Sequence, residues 1–476
     1  MKSALTFVLA IILFISAPQT ARAADHDYKD ASLPIETRVD SLLSQMTLQE
    51  KVNQLLSNYV RAEESDDGTI SIEKDFREQL KQGLGAIQYV NLTFDAGQDA
   101  DFSNSIQRYI QENTRLGIPA FLEGEALHGL IAHKATTFPQ AIALASTWDP
   151  SLVNRVYSRA GLQARSRGNH VMFTPVIDLA RDPRWGRMEE TYGEDVYMVT
   201  QMGLAATTGL QGGGTTVGPD NVVSAPKHFA GYGQADGGRN FAPTSIPPRI
   251  FHEDVLEPFR QVVTKAHVWG IMPSHSEVDG VPAHGDEWLL NDLLRQEWGF
   301  QGMVVSDYHD IHRLDILHRV AATEEEAVLM ALKAGVNLDQ PRGESYVFLP
   351  QALEANPEYM PYLDQRVREV LRVKFMLGLF ENPFVDKQKA ISVQNDPSNR
   401  ALALEAAEKA VILLKNENNI LPLDRGKPQK IAVIGPNAEE TVLGGYTHRG
   451  KTVQSIYNGL TEYLEGTDVE FSFAKG

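Results

Sequence analysis

Polar side chains that could take part in catalysis or binding follow five short apolar runs of the sequence, at the point where each run ends. The runs cover residues 119–123, 171–176, 222–226, 270–273 and 303–306. The polar residues that follow them are, in chain order, Glu125 and His128; Asp178, Arg181, Asp182, Arg184 and Arg187; Lys227 and His228; Ser274, His275 and Glu277; and Asp307, His309 and His312. The carboxyl ends of the strands of a parallel barrel meet on one face, so these groups are expected to converge there. Carboxylates beside Arg, Lys and His donors suit a polyhydroxylated ligand, because each hydroxyl both donates and accepts hydrogen bonds.

Asp307 is the strongest candidate for a nucleophile in this set. It directly follows the apolar run 303–306, so its backbone is expected to be held rigidly at the barrel mouth. Lys227, Arg187 and His228 are expected to keep its carboxyl group ionised. Glycoside hydrolysis needs such a carboxylate together with a proton donor. The competing interpretation of Asp307 is the N-cap of the helix that follows it.

The histidines of the same segments allow a second chemistry, in which a bound metal ion activates water. The candidate ligands are His128, His228, His275, His309 and His312. Their spacing does not match a metal site, because no His-x-His pair follows the first apolar run and no His-Glu-x-x-His occurs in the sequence. The nearby charges of Lys227 and Arg187 would also repel a dication. The sequence therefore predicts neither a metal nor another cofactor.

These residues require a scaffold in which strands alternate with helices. Strands are predicted at 85–90, 119–123, 171–176, 222–226, 270–273, 303–306 and 336–338, and helices at 152–167, 324–334 and 363–377. Strands that are apolar on both faces indicate a parallel sheet covered by helices. This repetition favours an α/β fold of the (β/α)8 TIM-like barrel type over an open sheet. No G-x-G-x-x-G follows the first predicted strand, which argues against a dinucleotide site.

Four regions are predicted along the chain. Lys2, the apolar stretch from Ala4 to Ile15 and the sequence Ala21-Arg22-Ala23 identify residues 1–23 as a secretory signal peptide, too short to span a bilayer. Residues 24–380 are predicted to form the barrel, residues 381–400 a polar linker with prolines, and residues 401–476 a second unit with a helix at 401–409 and strands at 411–415 and 430–435. The mature protein is therefore expected to be soluble, separate from the membrane, and periplasmic or secreted.

The composition of the chain limits the kinds of binding partner and cofactor that it can have. The 476 residues carry 44 Lys and Arg against 62 Asp and Glu, a formal net charge of −18. An acidic chain repels phosphate backbones and no basic patch offsets this, so no nucleic-acid partner is predicted. The chain has no cysteine, which excludes disulfides, thiolate nucleophiles and cysteine-ligated metals or clusters. The sequence makes no prediction of oligomeric state.

A more specific expectation comes from five stretches of sequence. They are FPQAIALASTWDP (138–150), FTPVIDLARDPRWGRMEETYGEDV (173–196), KHFAGYG (227–233), MPSHSEVDGVPAHG (272–285) and RQEWGFQGMVVSDYHDI (295–311). In this order they resemble glycoside hydrolase family 3, and the resemblance covers roughly residues 35–476. It implies a barrel followed by an α/β sandwich domain, of which residues 401–476 would be the N-terminal part. It also implies retaining hydrolysis of an oligosaccharide or β-glucoside from the non-reducing end, with β-xylosidase or arabinosidase activity as the alternative.

Residue by residue, the resemblance gives Asp307 the role of nucleophile, in the sequence Ser-Asp-Tyr where the family usually has Ser-Asp-Trp. The contacts to the non-reducing sugar fall on Glu125, Arg187 of Trp-Gly-Arg, Lys227 and His228 of Lys-His-Phe, and Arg239. A carboxylate at 125, often Asp in the family, can accept from two adjacent hydroxyls, while Lys227 and Arg187 donate charge-assisted bonds. Asp307 would attack the anomeric carbon, and water would then release the sugar with retained configuration.

Two departures from the family pattern bear on the mechanism. His275, also expected to line the substrate site, stands where the family often has Tyr near the nucleophile, so Asp307 is expected to be supported differently. The β-glucosidases of the family take their acid/base Glu from the sandwich domain, and the loop GYGQADGGRN (231–240) lacks the His that a related branch uses. We therefore expect the acid/base in sequence beyond Gly476. The alternative from another functional class is a barrel that binds sugar without catalysis.

Overall fold

The computed structural model describes residues 27–65, 70–88, 93–448 and 453–476. The predicted signal peptide, residues 1–23, and the end of the strand predicted at 85–90 lie outside the described residues. Within the described part, no helix combines the length and the apolar character needed to cross a membrane.

Parallel segments close into a barrel, which confirms the predicted (β/α)8 fold class. The strands of the barrel are Ser57–Tyr59, Ala86–Gln88, Phe121–Gly124, Val171–Met172, Val223–Ser224, Gly270–Ile271 and Met303–Val304. The first five are hydrogen-bonded in this order, and Gly270–Ile271 pairs with Met303–Val304. A bridge between Phe229 and Pro273 links the two sets. Segment 336–339 completes the ring, because Leu338 pairs with Val305 and Asp339 pairs with Leu56.

Helices cover the outer face of the barrel and connect its strands, and the last helix, Ile456–Tyr463, belongs to the second unit. The α-helices are Ile35–Gln45, Leu48–Asn53, Lys74–Leu80, Ala96–Asn113, Ala141–Ala145, Pro150–Ser166, Val196–Gln211, Pro248–Ile250, Glu257–Thr264, Asp310–Ile316, Glu324–Ala334, Leu349–Ala355, Met360–Met376, Lys387–Asn395, Ser398–Ala410 and Ile456–Tyr463. Wider π-helical turns occur at Phe251–Val255 and Trp288–Glu297. Short 3-10 turns occur at Pro183–Trp185, Met188–Glu190, Tyr232–Gln234, Asp236–Gly238, Ala283–Gly285, Tyr346–Phe348, Pro357–Tyr359, Glu417–Asn419 and Pro436–Ala438. Several of these turns lie in the loops that follow barrel strands, where they position side chains over the mouth.

The predicted helices form, with boundaries set by their caps. Helix Glu324–Ala334 has the predicted bounds, and the Thr323 hydroxyl accepts a hydrogen bond from the Glu326 N–H at 3.3 Å. The helix predicted at 152–167 is observed at Pro150–Ser166, with Asp149 as its cap. The helix predicted at 363–377 is observed at Met360–Met376, and Gly378 follows it with φ 70°. A positive φ of this kind ends a helix at low cost only at glycine.

One barrel strand was missed, and two predicted strands are not observed as regular strands. The first barrel strand, Ser57–Tyr59, was not predicted, because Ser-Asn-Tyr lacks the apolar run that marks the other strands. Segment 336–338 is not a strand, since the buried side chain of Asn337 replaces part of the ladder by accepting from the Val304 N–H at 2.7 Å. Residues 411–415 pair with no other strand in the described ranges, and Leu414 is 91% exposed.

The segment predicted as a linker, 381–400, is not an open connection. It contains helix Lys387–Asn395 and the start of helix Ser398–Ala410. Ala390 is fully buried against Ala96 and Ala100 of the barrel helix Ala96–Asn113. Several other contacts of helix Lys387–Asn395 with the barrel are polar, such as the Ala96 N–H that donates to Gln394 Oε1 at 2.9 Å, so the sequence has the polar composition of a loop. Residues 381–400 therefore include helical segments that pack on the barrel, and their place as the boundary between two domains stays a prediction.

Beyond the barrel, the second unit contains a pair of parallel strands, Gln429–Ile434 and Val469–Ala474, in register from end to end. Helix Ile456–Tyr463 lies between them in sequence. The predicted helix at 401–409 and strand at 430–435 are observed as Ser398–Ala410 and Gln429–Ile434. Two antiparallel hairpins belong to barrel loops, Ala62–Glu64 with Ile70–Ile72 and Glu277–Val278 with Val281–Pro282.

Candidate active site

A buried ion pair joins the ends of the third and fifth barrel strands. Lys227 Nζ lies 2.7 Å from Glu125 Oε1, and the two side chains are 3% and 15% exposed. Burial outweighs the attraction of Lys227 and raises the pKa of Glu125 to about 7. The second oxygen, Glu125 Oε2, is buried and has no hydrogen-bond partner among the described residues. It is therefore available to accept from a hydroxyl group of a ligand.

Asp307 lies just beyond the end of strand Met303–Val304 and is held through both its backbone and its carboxylate. Its N–H donates to His284 Nε2 at 3.0 Å, and the Tyr308 N–H donates to its Oδ1 at 2.7 Å. Its Oδ2 lies 2.9 Å from His275 Nε2 and 3.6 Å from His228 Nε2. The carboxylate therefore has one fixed orientation at the centre of the barrel mouth.

The electrostatic environment keeps Asp307 ionised. Burial by itself would raise its pKa, but the charge and hydrogen bond of His275, with the charge of Lys227, hold the pKa well below its usual range. His275 responds in the opposite sense. Burial alone would lower its pKa, and the carboxylates of Asp307 and Asp310 raise it to about 9. At neutral pH an imidazolium therefore bridges two carboxylates.

The competing interpretation of Asp307 as a helix N-cap is wrong. The helix that follows begins at Asp310, its cap residue is His309, and no side chain caps it. The Asp307 carboxylate instead accepts from Tyr308 and His275, as described above. Its side chain is therefore committed to the barrel mouth and not to helix termination.

His228 lies beside Asp307 as a neutral ring. Its backbone N–H and its Nδ1 both donate to Asp178 Oδ2, at 3.0 and 2.7 Å. Burial, together with the charge of Arg187, lowers the pKa of His228 well below its usual value. With the proton on Nδ1, Nε2 accepts from Arg187 Nη2 at 3.2 Å. Asp178 thus sets the tautomer of His228.

Arg187 is fixed by a bidentate pair with Glu190. The two bonds measure 2.8 Å from Nε and 2.7 Å from Nη2. The guanidinium carbon also lies 5.2 Å from the ring centre of Tyr232. This planar arrangement presents charged N–H groups toward the same space as Lys227 and His228.

A segment of the second unit closes over this side of the mouth. The Tyr446 ring centre lies 5.0 Å from Lys227 Nζ, and its hydroxyl lies 3.4 Å from Arg187 Nη2. The Gly445 N–H donates to Glu189 Oε1 at 3.1 Å. The second unit therefore contributes a wall to the site that the barrel builds.

Several residues of the site were not predicted from the sequence. Those that contact the predicted residues directly are Asp310, Arg313, His284, Glu190 and Tyr446. Asp310 and Arg313 lie three residues apart directly after Asp307, a spacing that places them on one helix face and could have indicated a pair. Tyr446 carried no such signal, because it is 139 positions from Asp307 in the sequence.

Not every predicted residue joins the group. Arg239 is exposed in the loop after Lys-His-Phe, and among the described residues its side chain contacts neither Asp307 nor Glu125. His309 pairs with Glu344 and His312 pairs with Glu324, both at the surface of the mouth. His128 Nδ1 lies 3.0 Å from the Phe138 carbonyl oxygen. The predicted sugar-contacting group therefore comes together as Glu125, Arg187, Lys227, His228 and His275 around Asp307.

A metal ion does not fit the one cluster with suitable spacing in the described ranges. His275, Asp307 and Asp310 offer ligand atoms within 4.8 Å of one another. The same atoms already bond to each other, and Arg313 Nη1 lies 3.1 Å from His275 Nδ1 and 2.5 Å from Asp310 Oδ1. A dication would displace these bonds and face a guanidinium.

The site contains the buried, ionised carboxylate of Asp307. The fixed cations Lys227 and Arg187 and the free acceptor oxygen of Glu125 lie on the same side of the barrel mouth. Such a carboxylate can attack an electrophilic carbon and form an ester. The donors Lys227 and Arg187 and the acceptor Glu125 can hold a polyhydroxylated ring in front of it. Together they supply the nucleophile and the sugar contacts for cleavage of an acetal, which also needs a proton donor.

Comparison with known proteins gives a consistent result. Residues 47–373 match the glycosyl hydrolase family 3 N terminal domain, and residues 411–474 match the glycosyl hydrolase family 3 C-terminal domain. A beta-xylosidase of Formosa agariphila is 40% identical over 76% of this chain and 53% of its own length. A periplasmic beta-glucosidase of Salmonella typhimurium is 32% identical over 92% of this chain and 55% of its own length.

A solved structure of a β-glucosidase from Erythrobacter marinus superimposes with a TM-score of 0.88 at 40% sequence identity. The match covers 96% of this chain and 60% of that one. The chain thus spans little more than half of the length of these relatives.

Proposed function

The chain belongs to glycoside hydrolase family 3, and from this premise we propose that it is a retaining, exo-acting β-glycoside hydrolase that releases terminal β-D-glucose. The observation that carries the proposal is the buried carboxylate of Asp307, held 2.9 Å from the His275 imidazolium and beside the Lys227–Glu125 pair. A carboxylate kept ionised in this way is prepared for nucleophilic attack.

The sugar at the non-reducing end would lie between Asp307 and the Glu125–Lys227 pair. Glu125 Oε2 would accept from a hydroxyl, and Lys227 and Arg187 would donate charge-assisted bonds. We propose that Arg239, from the exposed loop after Lys-His-Phe, also contacts substrate, and that His228 and His275 line the site.

The reaction would proceed in two displacements. Asp307 forms an ester bond to the anomeric carbon while the bond to the leaving oxygen breaks, and the leaving oxygen takes a proton from a general acid, a role that none of the residues described above is assigned. Water then attacks the anomeric carbon and gives a proton to the conjugate base of that acid, the ester bond breaks, and the Asp307 carboxylate is restored. Two inversions give net retention.

Covalent labelling tests the nucleophile directly. A dinitrophenyl β-D-glucoside needs little proton donation, so it reports on attack by Asp307 alone. We expect turnover of this substrate and, with its fluorinated analogue, a stable glycosyl adduct that peptide mapping places on Asp307. Asp307→Ala should abolish both. Asp315→Ala is the matched control, because Asp315 lies on the helix that follows and pairs with Arg319.

The outcomes separate the functional classes. Labelling of another residue would overturn the role of Asp307. Binding of glucose with neither labelling nor turnover would favour a sugar-binding barrel without catalysis. Retention is checked by following the anomer of the first product by NMR, and release of the inverted anomer would contradict the two-step mechanism.

A β-xyloside is the second candidate substrate. The specific support is the similarity to the beta-xylosidase of Formosa agariphila, together with the Tyr446 wall over Lys227, which narrows the sugar space. Glucose and xylose differ by one hydroxymethyl group, and a binding pocket gains only a small difference in binding free energy from a group of this size. The ratio of kcat/KM for the dinitrophenyl glucoside and xyloside decides between them, and the larger value identifies the substrate.

We also propose export to the periplasm. The basic start, apolar stretch and Ala-x-Ala sequence of residues 1–23 support it, and the similar protein of Salmonella typhimurium is named as periplasmic. Fractionation of expressing cells tests this, and recovery of full-length chain in the cytoplasmic fraction alone would contradict it.

A further inference from the structure

An unbroken chain of hydrogen bonds ends on the proposed nucleophile. Arg313 Nη1 lies 2.5 Å from Asp310 Oδ1. Asp310 Oδ2 lies 2.6 Å from His275 Nδ1, and His275 Nε2 lies 2.9 Å from Asp307 Oδ2. Asp310 and His275 are buried. Resemblance to the family assigns no role to Asp310 or Arg313.

We propose that Asp310 is a positioning residue: it locks the His275 ring so that Nε2–H donates to Asp307, and Arg313 locks Asp310 in turn. The inference rests on the proposed role of Asp307 as nucleophile, and it names the residues that hold that nucleophile ready.

The ring of His275 needs a second partner to keep this orientation. An imidazole bonded on one side only can turn over or carry its proton on the wrong nitrogen. Asp310 Oδ2 engages Nδ1 and leaves Nε2–H for Asp307. Arg313 uses the other oxygen of Asp310 and also donates to the Tyr308 carbonyl at 2.8 Å, which ties the chain back to the nucleophile loop.

The charges around His275 balance only when the ring is protonated. The charged and titratable groups that face it are Asp307, Asp310, Arg313, His284, His228 and Tyr232. Burial keeps His228 and His284 neutral by lowering their pKa values, that of His284 to about 4. Two carboxylates and one guanidinium remain, so the imidazolium brings the buried group to zero net charge. The Phe241 ring, 4.6 Å from that of His275, covers the group.

Asp310 becomes more important after the first displacement. When Asp307 forms the ester bond and the aglycone bond breaks, the carboxylate loses its charge. His275 then has Asp310 as its remaining negative partner, and the bond between Nδ1 and Asp310 keeps the ring in place. Nε2 is therefore still directed at Asp307 when water attacks and the carboxylate returns.

The first measurement needs no activity. Heteronuclear NMR of the histidine ring nitrogens follows His275 in the full chain, with His275→Gln used to assign its signals. In the wild type we expect His275 to titrate near pH 9, because the carboxylates of Asp307 and Asp310 raise its pKa to about 9. In Asp310→Asn we expect the pKa to fall by about one unit or more, because one of two carboxylates is lost. In Arg313→Met it should rise, because a competing positive charge is removed.

The second measurement is the rate of covalent labelling by the fluorinated glucoside against pH. Asp310→Asn and Arg313→Met should both be labelled about tenfold to hundredfold more slowly than the wild type. In each variant the hydrogen bond from His275 to the Asp307 carboxylate is no longer held in place. The alkaline limit should move to lower pH in Asp310→Asn, following the NMR titration. Asp310→Glu, which keeps the charge, should recover part of the rate.

Glu344→Gln is the matched control, because it removes the carboxylate of another His–carboxylate pair at the mouth, with His309. It should change neither the labelling rate nor the His275 titration. An unshifted His275 titration in Asp310→Asn would overturn the proposal, as would equal slowing at every pH in Asp310→Asn and Arg313→Met. Absence of labelling in the wild type would overturn the proposed function instead, while the NMR titration would still decide whether Asp310 holds His275.

Discussion

Replacing Glu125 with Gln tests whether this carboxylate is the charged acceptor for sugar hydroxyls. Burial raises the pKa of Glu125 to about 7 although Lys227 Nζ lies 2.7 Å away. The ionised form accepts hydrogen bonds through both oxygens, and protonation turns one acceptor into a donor. Activity should therefore be fully present above this pKa and decline as the pH falls through it. In Glu125→Gln that acid limit should disappear, because no group titrates at this position.

The size of the effect follows from the contacts. A hydrogen bond to a charged group contributes about 1.5–3 kcal/mol, against about 0.5–1.5 kcal/mol for a neutral one. Gln keeps an acceptor and loses the charge, so the bond between the hydroxyl and Oε2 weakens by about 1–1.5 kcal/mol, a fall in kcat/KM of about 5-fold to 13-fold. The loss should appear mainly in KM if the bonds are as strong in the ground state as in the transition state.

The assay is the initial rate with dinitrophenyl β-D-glucoside at low concentration, on both sides of the Glu125 pKa. Glu277→Gln is the matched control, since Glu277 is a mouth carboxylate that pairs with His318 at 3.0 Å. Glu277→Gln should show the same fall in activity at low pH as the wild type and the same rate with the dinitrophenyl glucoside. The reasoning would be refuted if Glu125→Gln retained the acid limit, or if kcat/KM fell by less than about threefold.

Two further predictions concern the barrel wall and the second unit. Arg167 Nη1 lies 2.6 Å from Asp99 in a pair that is at most 4% exposed, and Arg167→Met should lower the free energy of unfolding by about 3–5 kcal/mol in urea denaturation, with partial recovery on adding Asp99→Asn. A loss below about 1 kcal/mol would contradict this. Tyr446→Ala removes the ring over Lys227 and should raise KM about twofold to thirtyfold with a smaller change in kcat. An unchanged KM would show that the second unit does not contribute to the sugar site.

The barrel could be predicted because its strands are nearly all apolar. Strands buried on both faces leave a clear signal, and polar residues at their ends then identify the catalytic face. Ser57–Tyr59 and segment 336–339 lacked that signal. They close the barrel through polar groups, as when Asn337 accepts from the Val304 N–H, and such bonds depend on partners far away in the sequence.

The site could be predicted as a set of residue types but not as a network. Asp307, Lys227 and Glu125 follow strands and could be recognised from position alone. The bonds between them could not, because they join separate strand ends across the mouth. Helix Lys387–Asn395 was missed for a related reason. Its buried contact is made by Ala390, and a single small residue gives no periodic apolar pattern.

The His275 position shows why departures from a family pattern are best interpreted together. A tyrosine hydroxyl beside a carboxylate is neutral, whereas an imidazolium brings a charge that a buried site must balance. Asp310 supplies the balancing carboxylate, and Asp310 in turn needs Arg313, because Asp307 and Asp310 together would otherwise place two negative charges beside one cation. The same three residues hold the ring and the proposed nucleophile in one arrangement. His275 taken alone is a difference in a motif, while His275 with Asp310 and Arg313 forms a network that keeps the carboxylate of Asp307, the proposed nucleophile, ionised.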